Sequence, residues 1–110
     1  MTLGEKQRKF TRMIADLIVF AYGNGFELTF AEAYRTPEQA ALNAKAGKGI
    51  STSLHLDRLA VDFNLFKDGA YLSQTEDHRP LGEYWESIGG AWGGRFKDGN
   101  HYSLEHGGRK

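Results

Sequence analysis

The octapeptide Leu59–Phe66, LAVDFNLF, constrains the fold more than any other stretch of the chain. Its apolar residues alternate, with Leu59, Val61, Phe63 and Leu65 on one face and Ala60, Asp62 and Asn64 on the other. A period of two is the signature of a strand with one buried face. Such a strand cannot stand alone, so a sheet with a cover on its apolar side is required. The cover is supplied by two segments of helical period. Over residues 3–22, Phe10, Met13, Ile14, Leu17, Ile18 and Ala21 recur at steps of three and four, which puts them on one stripe. A further helix is predicted over 76–88, with Leu81, Tyr84, Trp85 and Ile88 inward.

Shorter signals fill in the order. Gly23-Asn24-Gly25 stops the first helix, since these residues tolerate a left-handed cap. Residues 26–34 alternate as a strand, with Phe26, Leu28 and Phe30 on one face. Thr36-Pro37-Glu38-Gln39 opens a second helix with an N-cap, a first-turn proline and a capping-box glutamine; it is expected to end near Gly47. Residues 47–56 read as loop. Lys67-Asp68-Gly69 is a turn signal, with 70–72 returning as a short strand. Gly89-Gly90 ends the third helix, 95–100 is a polar loop, and 101–105 is a last strand with His101, Ser103 and Glu105 on one face. The tail after Glu105 is expected to fray. The result is an α+β fold with a small antiparallel sheet, and one domain over 1–110.

Composition narrows the function. Fourteen Lys and Arg balance fourteen Asp and Glu, so a general basic field for nucleic acid or a polybasic membrane anchor is not expected. There is no cysteine, which removes thiolate nucleophiles, disulfides and Cys-type zinc sites. Any metal must be held by His and carboxylate. The polar start MTLGEKQRKF is unlike a secretory signal, and no apolar run approaches a membrane span. The expectation is a cytoplasmic protein, without disulfides, that reaches another compartment only if something releases it.

Two segments carry chemistry: Ser53–Asp62 and Asp98-Gly99-Asn100-His101. His55, Asp62 and His101 supply two imidazoles and a carboxylate, the donor set of a catalytic zinc that keeps its fourth position open. Asp98, three residues before His101, could then act on water as general base. HExxH is absent, so the helical zinc-protease arrangement is excluded. A blander account is available for each piece. Asp62 could lie on a solvated face paired with Arg58, and Asp98-Gly99-Asn100 is also an ordinary turn. His78 reads as exposed and His106 as lacking a partner.

The combination resembles a known family. SLHLDRLAVDFNLFKDG followed by YWESIGGAWGGRFKDGNHYSLEHGG is similar to the zinc peptidoglycan peptidases of the VanY-type D,D-carboxypeptidase and phage L-alanyl-D-glutamate endopeptidase group. The matching positions are Ser53, His55 and Asp62, then Trp92, Gly93 and Gly94, then Asp98 and His101, with an upstream Tyr-Arg-Thr-Pro-Glu-Gln at 34–39. The resemblance implies Zn²⁺ held by His55, Asp62 and His101, with Asp98 as catalytic base. It also implies that Arg35 binds a substrate carbonyl or carboxylate and stabilises the oxyanion. Ser53 would contact substrate or orient the His55 loop. Where the family often carries glycine three residues after the first histidine, this chain has Arg58, which could narrow the cleft or grip a substrate carboxylate. The implied fold places helices on one face of the sheet and the zinc groove on the other, as the element reading also does.

The expected function is therefore a zinc endopeptidase cutting the L-alanyl-D-glutamate bond of peptidoglycan stem peptides. It would act as a monomer of the phage endolysin kind, made in the cytoplasm and let through to the wall by a permeabilising partner. The competing expectations are a D-alanyl-D-alanine carboxypeptidase or dipeptidase, and a non-catalytic zinc-stabilised wall-binding module. In that module Glu105 or His106 would close the fourth metal position.

Overall fold

A computed structural model describes residues 1–47 and 53–110. Helix α1 (Leu3–Gly23) is started by a reciprocal capping box, with Glu5 N–H donating to Thr2 Oγ1 and Thr2 N–H to Glu5. Strand β1 (Phe26–Phe30) follows, then α2 (Pro37–Lys45), capped by Thr36 as expected. A 3₁₀ turn (Leu54–Asp57) leads into β2 (Ala60–Lys67) and its hairpin partner β3 (Ala70–Leu72). Helix α3 (Arg79–Ser87), β4 (Ala91–Trp92) and β5 (His101–Ser103) complete the chain. The antiparallel sheet runs β1-β2-β5-β4, with β3 also on β2.

The apolar faces meet as the alternation requires. Phe10, Met13, Ile14 and Leu17 of α1 and Leu81 and Trp85 of α3 cover Leu59, Val61, Phe63, Leu65 and Tyr102 in one core cluster. The opposite face of β2 carries Asp62, which lies in register with His101 of β5. Among the described residues no helix is long and apolar enough to cross a membrane.

Several expectations are corrected. β1 ends at Phe30 rather than residue 34, because the next residues are drawn across the start of β2. The predicted helix over 76–88 is a 3₁₀ turn (Thr75–His78) followed by α3. Pro80 has no N–H to bond back to the preceding turn, so the helical ladder starts again there. β4 was not anticipated. The loop expected over 47–56 includes residues 48–52, which lie outside the described residues.

The tail is tied down rather than frayed. His106 and Arg109 form a bridge, Arg109 pairs with Asp57, and Lys6 Nζ donates to the Glu105 carbonyl at 2.7 Å. His106 also has a partner, its Nδ1 lying 3.4 Å from Lys6 Nζ.

The glycine pairs flanking β4 serve close packing as well as chain reversal. A Cβ on Gly82 or Gly94 would sit 2.1 or 2.2 Å from the Trp92 indole, and one on Gly90 2.1 Å from Trp85. Both tryptophans are almost fully buried. Trp92 Nε1 donates to Gly99 O at 2.8 Å, so this packing fixes the loop that leads to His101.

Candidate metal centre

Asp62 is the hub of the site. Its Oδ1 lies 3.3 Å from His55 Nε2 and 3.2 Å from His101 Nδ1. The ligand atoms of the three residues all fall within 4.8 Å of one another. Two ligands about 2.1 Å from one tetrahedral ion are separated by about 3.4 Å, so both measured nitrogen–oxygen spacings suit a shared zinc. The donors are chemically right too, being two imidazole nitrogens and one carboxylate oxygen.

Each ligand is aimed by local structure. Ser53 caps the 3₁₀ turn, accepting from His55 N–H at 3.2 Å. His55 Nδ1 donates to the Ala33 carbonyl at 3.3 Å, which leaves the Nε2 lone pair facing Asp62. His101 is presented by β5, and its Nδ1 faces both Asp62 and Asp98. Its Nε2 is buried with no hydrogen-bond partner, so Nδ1 is the nitrogen available to a metal. Asp98 Oδ2 lies 3.9 Å from that nitrogen, on an exposed loop.

The electrostatics follow from this crowding. Burial disfavours the Asp62 carboxylate, but hydrogen bonds from His101 and His55 and their charges outweigh it, and the carboxyl is lowered to about 2. Burial likewise disfavours a charged His55, yet the hydrogen bond and charge of Asp62, helped by Ala33 and Glu32, raise its imidazole above the ordinary value. For Asp98, burial raises the carboxyl, His101 opposes, and Asp62 adds to the rise. The outcome is a carboxylate more basic than usual beside a firmly ionised one.

Residues Ala31–Arg35 form a strap over the site. Ala31 N–H donates to Asp62 O, Asp62 N–H to Glu32 O, and Arg35 N–H to His55 O. This one segment therefore holds the backbone of two candidate ligands. It also delivers Arg35, whose guanidinium is gripped by Glu32 through both Nε and Nη2. Glu32 Oε1 lies 3.5 Å from His55 Nε2. Sequence reading passed over Glu32 as a strand residue. The available signal was the failure of alternation at Ala31-Glu32-Ala33, next to Arg35.

Arg58 takes a different place from the expected one. Its guanidinium stacks on Tyr34, 4.0 Å from the ring centroid, in the wall of an apolar groove with Phe10, Ile14 and Phe30. Its backbone has φ of 56°, the left-handed region that glycine occupies most easily, which accounts for a glycine preference at this position. His78 is buried, not exposed. Its Nδ1 accepts from the Tyr102 hydroxyl at 2.8 Å.

A small antiparallel sheet that displays two histidines and an aspartate on its uncovered face, with a second aspartate alongside, has the makings of a metallopeptidase. The family whose model matches, over residues 46–104, is described as D-alanyl-D-alanine carboxypeptidase. The chain belongs to this family, the VanY-type peptidoglycan peptidases.

Solved structures share the fold. An L-Ala D-Glu endopeptidase of Serratia marcescens, ChiX, superposes with a TM-score of 0.75 at 20% identity, covering 93% of this chain and 85% of that one. The zinc-bound vancomycin-resistance D,D-pentapeptidase VanY, from a VanB-type cassette, gives 0.60 at 23% identity, over 87% and 70%. The same enzyme with D-alanine-D-alanine gives 0.59, also at 23% identity, over 87% and 69%. No curated protein matches the chain.

Proposed function

We propose that the chain is a zinc-dependent endopeptidase of peptidoglycan stem peptides that hydrolyses the L-alanyl-D-glutamate bond. The carrying observation is the convergence of His55, Asp62 and His101 with Asp98 3.9 Å from the His101 nitrogen. His55, Asp62 and His101 would hold the ion. Zinc in that set supplies Lewis-acid activation of water and of the scissile carbonyl.

The protein's own groups do the rest. Asp98 accepts a proton from the water as its oxygen bonds to the carbonyl carbon. It returns that proton to the nitrogen as the carbon–nitrogen bond breaks. Arg35, held by Glu32, donates to the oxygen that becomes negative. Ser53 serves as the residue that orients His55. Arg58, occupied by Tyr34, is assigned a share in substrate binding only at the rim. The whole chain works as one catalytic domain and a monomer, and in the endolysin setting it meets the wall after release from the cytoplasm.

A non-catalytic zinc module needs a fourth protein ligand. Among the described residues the candidate cluster is His55, Asp62 and His101, without Glu105 or His106. Release of terminal D-alanine is the second reading, favoured by the description of the matched family. Purified peptidoglycan digested with the protein and weighed by mass spectrometry separates the two. A new free amine on glutamate supports the proposal, and single D-alanine with intact Ala–Glu bonds replaces it with the second reading.

A further inference from the structure

A polar pocket of about 220 Å³ opens beside Asp98. One wall is the segment from Ser73 to Thr75, with His78 behind it, and the other is the loop from Lys97 to Asn100. The two walls are fastened together. Gly99 N–H donates to Thr75 Oγ1 at 3.2 Å, and Trp92 Nε1 holds the Gly99 carbonyl at 2.8 Å. A Cβ at Gly99 would fall 2.6 Å from Thr75 Cα, so the segments touch with no room to spare. The pocket is thus a preformed feature of the packing. Its lining offers the Ser73 hydroxyl, the Gln74 and Asn100 amides and the Lys97 ammonium, which suits a hydrogen-bonding, anionic chain and not an apolar one.

Asp98 connects this pocket to the reaction. The group that returns the proton to the leaving nitrogen stands on the leaving side of the scissile bond. What hangs from that nitrogen therefore extends past Asp98. The two candidate bonds differ here and almost nowhere else. Each releases an amine on a D-configured carbon that bears a carboxylate, if the glutamate is linked through its γ-carboxyl. D-alanine adds only a methyl. Glutamate adds a chain running through its γ-carboxyl into a diamino acid. A volume of about 220 Å³, against roughly 30 Å³ for a water molecule, has room for several residues' worth of polar atoms and is wasted on a methyl.

We propose that this pocket receives the γ-linked continuation of the stem peptide beyond glutamate, with Lys97 countering its carboxylates. The assignment rests on the L-alanyl-D-glutamate reading. Binding energy from this remote part would be used to align the scissile amide, so a truncated substrate loses turnover as well as affinity.

The test compares two synthetic substrates with the zinc-loaded full chain. One is N-acylated L-alanyl-D-glutamate capped as the γ-amide, and the other continues through the γ-carboxyl into diaminopimelate. The expected kcat/KM for the longer substrate is at least tenfold higher. Ser73→Trp, which fills the pocket from an exposed position, and Lys97→Glu, which reverses its charge, each bring that ratio close to one. Circular dichroism and metal content verify that both variants are folded and loaded. Equal rates for the two substrates in the unmodified protein, or a ratio unchanged in both variants, overturns the pocket's role and leaves the bond assignment standing. Release of D-alanine from a pentapeptide with neither test substrate cut overturns the bond assignment, and the pocket's role with it.

Discussion

Replacing His78 with glutamine should flatten the acid side of the stability curve. His78 sits between α3 and β5, buried, with Tyr102 O–H on its Nδ1. Burial opposes its charged form, Asp77 compensates only partly, and the imidazole is lowered from 6.5 to about 4. The sign follows directly. Above 6.5 the folded and unfolded chains both carry a neutral ring, and the full stability is present. As pH falls below 6.5 the unfolded chain binds a proton that the folded one refuses until about 4, so unfolding gains ground throughout that window.

The whole gap corresponds to about 3 kcal/mol, of which about 2 kcal/mol is lost between pH 7 and pH 5. His55, raised instead of lowered, works in the opposite direction, but it is common to both proteins and cancels in their difference. Glutamine cannot titrate, and its carbonyl can still accept from Tyr102. Urea unfolding followed by fluorescence of the buried Trp85 and Trp92 measures both proteins with metal chelated. The stability advantage of the unmodified protein over His78→Gln should shrink by about 2 kcal/mol from pH 7 to pH 5. A difference that is the same at both pH values refutes the buried neutral histidine.

Other outcomes follow from the site. Metal analysis should find one zinc per chain, removed by chelator and lost in His101→Ala, because that variant deletes one of three ligands; unaltered metal in the variant would take His101 out of the site. Asp98→Asn should keep the metal and the fold while kcat falls about 10²–10⁴-fold, since an amide cannot accept the proton; loss of zinc in that variant would make Asp98 a ligand. Gly93→Ala places a Cβ 2.2 Å from Asp98 O and 2.8 Å from His101 Cβ, and overpacking of this kind costs about 1–3 kcal/mol. Because the displaced loop carries both the base and a ligand, peptidase activity should fall more than the unfolding midpoint predicts. Full activity at reduced stability would show that the loop relaxes without moving them.

What the sequence discloses about this site depends on how local each signal is. The face of Asp62 is legible because alternation within β2 decides it, whatever β2 pairs with. The meeting of Asp62 with His101 is a matter of register between strands 39 residues apart, and alternation carries no information on register across such a gap. Family resemblance filled that place. Gly93-Gly94 reads as a chain reversal because glycine pairs usually are one, and the actual constraint, contact of Gly94 with the Trp92 ring and of Gly93 with His101, exists only once the indole is seated. His78 lies among Glu76, Asp77 and Arg79, a local setting that reads as solvent, and only the closing of β5 beneath it buries the ring.

The strap shows the same limit at the point where it matters most for chemistry. Arg35 is conspicuous in the sequence, whereas the group that orients it, Glu32, is an acidic residue in an alternating segment with no period of its own. Their pairing has a consequence for the proposed reaction. A guanidinium already neutralised by a carboxylate attracts a substrate carboxylate less strongly than a free one, but it is held in one orientation and loses less freedom on meeting a developing oxyanion. Removing the Glu32 charge should therefore separate these two contributions. In Glu32→Gln the amide still accepts from Arg35 while the positive charge is released. The expected outcome is a lower KM for substrates bearing a carboxylate next to the scissile bond, together with a lower kcat. Steady-state kinetics on one such substrate measures both. A fall in kcat with KM unchanged would mean that Arg35 does not meet the substrate's carboxylate, and an unchanged kcat would mean that its orientation by Glu32 is immaterial to the transition state.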